Sequence, residues 1–141
     1  MTSVAAAGTP DPMTSHATEL SALAALASSV AQEAAELLLS RRDRVSVVQT
    51  KSSPTDVVTE MDRRAEELIR SRILAARPGD AVLGEEGVQT GDAPVRWVID
   101  PLDGTVNYLY GLHDWAVSIA AEVSGVVLAG VVAVPRRGSV G

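Results

Sequence analysis

The chain has no cysteine among its 141 residues, which excludes disulfides and thiolate metal sites. Basic residues are scarce: 12 Lys and Arg against 18 Asp and Glu, for a formal charge of −6. The basic clusters, Arg41-Arg42-Asp43-Arg44, Arg63-Arg64 and Arg136-Arg137, read as solvated surface. A groove that neutralises a phosphate backbone is not expected from them, so no direct nucleic-acid binding is expected. Long apolar runs are missing as well. The strongest, Val126 to Val134, is too short to span a bilayer. The opening "MTSVAAAGTPDP" lacks the basic segment and apolar stretch of a signal peptide. No membrane partner is expected, and the expected location is cytoplasmic. No internal repeat is visible. What remains is a globular composition, 46% hydrophobic, with length for one domain and a modest core.

Residues 1–17 lack periodicity and read as a disordered tail, with 18–141 as the folded part. "MTS" at Met1 recurs at Met13, which leaves two candidate starts. From Glu19 to about Arg42, Leu20, Leu23, Ala27, Val30, Ala34 and Leu37 recur at spacings of three and four, the signature of a helix; the stripe is short and Ala-rich, which favours packing on a sheet over a coiled coil. "VSVVQTK" (Val45 to Lys51) reads as a short strand. A second helix follows Pro54, with Met61, Ala65, Leu68, Ile69 and Ile73 on one face and Pro78-Gly79 as its stop. "AVLGEEG" reads as a short strand, "VQTGDAP" as a turn, and "RWVID" as an apolar strand. "AVSIAAEV" and "GVVLAGVVAV", joined through Ser124-Gly125, form a plausible hairpin. The order α-β-α-β-β-β-β, with a helical turn after Asp103, predicts an α/β fold with helices packed on a mixed sheet.

The chemistry gathers at strand ends. In "RWVIDPLDGTVNY" an apolar strand runs into Asp100-Pro101-Leu102-Asp103-Gly104-Thr105. With Asp100 as N-cap, Pro101 takes the first helical position and Asp103 the third. The backbone N–H groups of Gly104 and Thr105 then face an anion. Alone, the hexapeptide is better explained by helix capping. It is not an EF-hand loop, because Leu102 and Gly111 fall where oxygen ligands belong, and it has no P-loop lysine. Glu85-Glu86 also follows a short apolar strand, so Glu85, Asp100 and Asp103 can share one rim. Three close carboxylates repel unless a hard cation sits among them, and an oxygen-only set suits Mg²⁺. Thr59 and Asp62 form T-x-x-D, which reads as a capping box opening the second helix.

"KSSPTDVVTEMD", "GEEG", "WVIDPLDGTVNY" and "WAVSIA" followed by "AGVV" stand in this order. Together they resemble the inositol monophosphatase family over roughly Leu20 to Pro135. The resemblance implies an αβαβα sandwich of the sugar-phosphatase type, cut after its first sheet. It also implies a Mg²⁺-dependent, lithium-sensitive phosphomonoesterase that is usually a homodimer. It assigns Glu85, Asp100, Asp103 and the Leu102 carbonyl to the metals, and Gly104 and Thr105 to the substrate phosphate through their backbone. Glu85, Leu102 and Asp103 are implied to line the substrate as well. Asp62 and Thr105 match the pair that orients the attacking water, Lys51 a lysine near the outer metal, and Glu86 a supporting position. The implied reaction is attack of a metal-activated water on the phosphate of a small alcohol or sugar. High Ala and Arg content fits a GC-rich bacterial genome.

The family's W-D-x-A-A-G segment, whose aspartate completes the second metal site, has no match here; "HDWAVS" reads Asp-Trp. An N-terminal half is therefore expected, with little phosphatase activity alone and Val126 to Val134 left as an exposed apolar strand. Inositol monophosphate heads the substrate expectations. Histidinol phosphate, nucleotide 3′-phosphates and fructose 1,6-bisphosphate follow. A non-catalytic regulatory or interaction protein is the competing reading.

Overall fold

In a computed structural model, the chain is described over residues 12–40, 54–84, 87–109 and 115–134. Two helices, α1 (Pro12–Ser40) and α2 (Pro54–Ala76), precede three strands, β1 (Ala81–Leu83), β2 (Gln89–Thr90) and β3 (Val95–Asp103). A short helix α3 (Thr105–Leu109) and the strands β4 (Ala116–Val123) and β5 (Val126–Ala133) complete the order. The strands form one sheet in the order β2-β1-β3-β4-β5. Among the described strands, β1 and β3 run parallel and the other pairs are antiparallel. The α/β class with a mixed sheet is what the sequence predicts. The expected strand at Val45 to Lys51 lies outside the described residues.

Both long helices begin on proline, whose missing N–H costs nothing in a first turn. α1 starts seven residues before the expected Glu19 and so enters the segment read as a tail. Its buried stripe is Leu23, Ala27, Val30, Ala31, Ala34, Ala35 and Leu38, whereas Leu20 is exposed and Leu37 only half-buried. Leu23, Ala27, Val30 and Ala34 are thus buried as expected, and from Val30 onward the stripe widens to the next position with Ala31, Ala35 and Leu38, a drift that 3.6 residues per turn imposes on a long helix. α2 buries Met61, Ala65, Ile69 and Ile73 as expected, with Leu68 only partly buried beside them. The helices touch each other, and α1 covers β4 and β5 while α2 covers β3. Small alanines on α1 permit this close approach.

The core lies between the helices and one face of the sheet. Val82, Trp97, Ile99, Val117, Ile119, Ala121 and Ala133 alternate inward. The other face carries Leu83, Val98, Asp100, Ser118, Ala120 and Gly130, all more open to solvent. By length and composition 17–40 would also suffice to cross a bilayer, but its Leu23-to-Leu38 stripe is spent on this core. Within "VQTGDAP", Gln89 and Thr90 pair with β1 rather than turning freely. Ser124 and Gly125 both have positive φ, 53° and 81°, which makes the expected hairpin a two-residue turn matched to strand twist. β5 is the sheet edge, with Val126, Val127, Leu128 and Val132 exposed.

Candidate metal and phosphate site

Asp100 is not a helix N-cap. β3 continues through Pro101 and Leu102 to Asp103, because its ladder with β4 persists beyond Asp100. The break falls at Gly104, whose φ of +87° is closed to most side chains, and α3 begins at Thr105. The Tyr108 N–H donates to the Gly104 carbonyl at 3.0 Å, the first bond of that helix. The T-x-x-D reading changes too. α2 begins at Pro54, so Thr59 and Asp62 lie inside the helix and not at its cap.

The register of β3 on β4 decides where the aspartates stand. Asp100 pairs with Ser118, but Asp103 pairs with Ala116, with a shift between them. Three residues along β3 therefore match two along β4, which is a β-bulge at Pro101-Leu102. In an unbroken strand, residues three apart point to opposite faces. Here their partners Ser118 and Ala116 are two apart and share a face. Asp100 and Asp103 are thereby brought to the same face, the one turned away from the helices. Proline suits a bulge, since it has no ladder donor to give. Leu102 and Pro101 are buried, while Asp103 is exposed. One carboxylate oxygen of Asp100 is shielded from solvent.

The parallel register sets Leu83 beside Val98, so β1 and β3 run toward the same end of the sheet, with β3 continuing to Asp103. Glu85 comes two residues after Leu83 in the chain. Glu85, Glu86 and Lys51 lie outside the described residues, as does the side chain of Thr59. Asp62 is half-buried on α2, with one carboxylate oxygen shielded from solvent, and α2 contacts both β3 and α3. The helix bearing Asp62 thus meets the one that Thr105 opens. Among the described residues no three Asp, Glu, His or Cys side chains gather as a metal cluster. The described pair still fits a hard cation: oxygen donors only, on one face, one partly withdrawn from water.

Two supporting side chains have no role assigned by the sequence motifs. Tyr108, fully buried, donates its hydroxyl to the Leu38 carbonyl at 2.8 Å and stacks edge-on against Trp115 at 5.0 Å. It ties α3 to the end of α1. Arg70 on α2 reaches β1 and β2, and its only sequence signal is the i,i+4 spacing from Glu66.

The Inositol monophosphatase family matches residues 19–140. An inositol-1-monophosphatase of Mycobacterium leprae is 45% identical over 127 residues, covering 79% of this chain and 44% of that protein. A histidinol-phosphatase of Streptomyces coelicolor is 53% identical over 73 residues, covering 52% of this chain and 27% of that protein. The solved structure of Mycobacterium tuberculosis SuhB superposes with a TM-score of 0.71 at 42% identity, covering 85% of this chain and 43% of that one. The chain spans less than half the length of these relatives. Sequence motifs, fold and relatives converge: this chain belongs to the inositol monophosphatase family.

Proposed function

We propose that this chain provides the metal- and phosphate-binding side of a Mg²⁺-dependent phosphomonoesterase acting on a small alcohol or sugar phosphate. The observation that carries the reading is the bulge that brings Asp100 and Asp103 to one face, immediately before the Gly104 break. Asp100, Asp103, the Leu102 carbonyl and Glu85 are the proposed ligands. Bound there, Mg²⁺ supplies an acidified water and charge neutralisation for the phosphate. Asp62 and Thr105 would orient the attacking water by accepting hydrogen bonds from it, and the backbone N–H groups at Gly104 and Thr105 would meet the phosphoryl oxygens. By the resemblance, Lys51 would serve near a metal and Glu86 would support Glu85.

Inositol monophosphate is the proposed substrate, in keeping with the name of the mycobacterial relative. Histidinol phosphate is the second reading, favoured by the 53% identity to the Streptomyces protein. A cytoplasmic setting and homodimeric assembly belong to the same proposal. The sequence contains no W-D-x-A-A-G segment, so these 141 residues alone are expected to bind Mg²⁺ weakly and release phosphate slowly.

The test is titration of the purified chain with Mn²⁺, followed by electron paramagnetic resonance, with phosphate release from both esters measured in parallel. Saturable binding that Asp100→Asn weakens at least tenfold supports the reading. Binding indifferent to Asp100→Asn overturns it. Faster release from histidinol phosphate selects the second substrate.

A further inference from the structure

We propose that Arg70 is a positioning residue for the two-glutamate segment: from α2 it clamps the flanks of Glu85-Glu86 and so sets where the Glu85 ligand is presented. The inference rests on the reading of Glu85 as a metal ligand and adds the means by which it is held. The Arg70 guanidinium spends four of its five N–H donors locally. Nε donates to Glu66 at 2.9 Å, and one terminal nitrogen donates to the Thr90 hydroxyl at 2.7 Å and the Val82 carbonyl at 3.2 Å. The other donates to the Val88 carbonyl at 2.8 Å. Its side chain is only 16% exposed; the bonds to Glu66 and Val82 are partly buried, while those to Thr90 and Val88 lie at the surface.

Val82 precedes the glutamates and Val88 follows them, so one planar cation holds both sides of the segment. The same Val88 carbonyl accepts from the Gly84 N–H at 3.0 Å, and the Gly87 N–H returns to the Gly84 carbonyl at 3.1 Å. Gly84 lies flat on the ion pair. A Cβ there would stand 2.8 Å from a Glu66 oxygen and 3.0 Å from an Arg70 terminal nitrogen. The glycine before the glutamates therefore permits contact with the clamp beneath it. This amounts to more than helix surface pairing, which Glu60, Arg63 and Arg64 supply in the open on the same helix. A lysine at 70 has three donors on a point charge and cannot span both flanks.

The experiment uses the full chain, Mn²⁺ as probe, and temperatures well below unfolding. Arg70→Met is expected to weaken Mn²⁺ binding about tenfold, the usual scale for loss of a group that orients a ligand, with Arg70→Lys recovering part of it. Gly84→Ala, which presses on the clamp from the other side, is expected to weaken it in the same direction. Should Arg70→Met fail to fold, Glu66→Gln and Thr90→Val give the same readout with smaller perturbations. Glu85→Gln is the reference. If it abolishes binding while the Arg70, Glu66 and Gly84 variants bind like the parent, the clamp is structural only and the proposal is overturned. If Glu85→Gln itself binds like the parent, the ligand assignment has failed, and this inference fails with it.

Discussion

Tyr108→Phe isolates one bond between the α3 segment and the rest of the fold. The Tyr108 hydroxyl is buried and donates at 2.8 Å to the Leu38 carbonyl. Leu38 lies two residues before Ser40, the last described residue of α1, and the hydroxyl reaches its carbonyl from outside that helix. The substitution keeps the ring, and with it the 5.0 Å edge-on contact to Trp115. It removes one buried hydrogen bond, at a net cost of about 0.5–1.5 kcal/mol. For a domain of this size that corresponds to a fall in Tm of roughly 3–5 °C per kcal/mol. Tyr108→Ala also removes the ring and is expected to cost about 3–5 kcal/mol. Urea denaturation of the three proteins, fitted with a common slope, measures both. A Tyr108→Phe loss below about 0.3 kcal/mol would show that this bond contributes nothing net over hydration of the unfolded chain, and the argument would be refuted.

Gly104→Ala places a side chain at a φ of +87° and is expected to destabilise the chain by about 1–2 kcal/mol. Mn²⁺ affinity should fall with it, since Asp103 and Thr105 flank the strained residue; unchanged melting and unchanged binding together would contradict this. The uncharged edge strand β5 exposes Val126, Val127, Leu128 and Val132, so the isolated chain is expected to self-associate as its concentration rises. Val132→Lys, on the open face opposite Ser118, should shift light scattering toward the monomer. A parent chain that is monodisperse and monomeric at high concentration would count against that expectation.

The sequence by itself determined the elements whose cause is local. Apolar residues at spacings of three and four made both long helices readable, and Ser124-Gly125 marked the hairpin because positive φ is a property of a few residue types. The four motif pieces identified the family because each is a contiguous string. Where the chain competes between local options, the sequence was insufficient. Asp-Pro-Leu-Asp satisfies a helix cap as well as a strand bulge, and only the ladder from β4 settles the choice by continuing to Asp103. Side-chain parity along a strand depends on what it pairs with, so no spacing rule could reveal that two aspartates three apart share a face. The drift of the α1 stripe, the parallel register of β1 beside β3, and Arg70 reaching from α2 to Val88 are likewise tertiary decisions. Each depends on a partner distant in the chain, and contact with that partner selects among conformations that local propensity leaves nearly equal in energy.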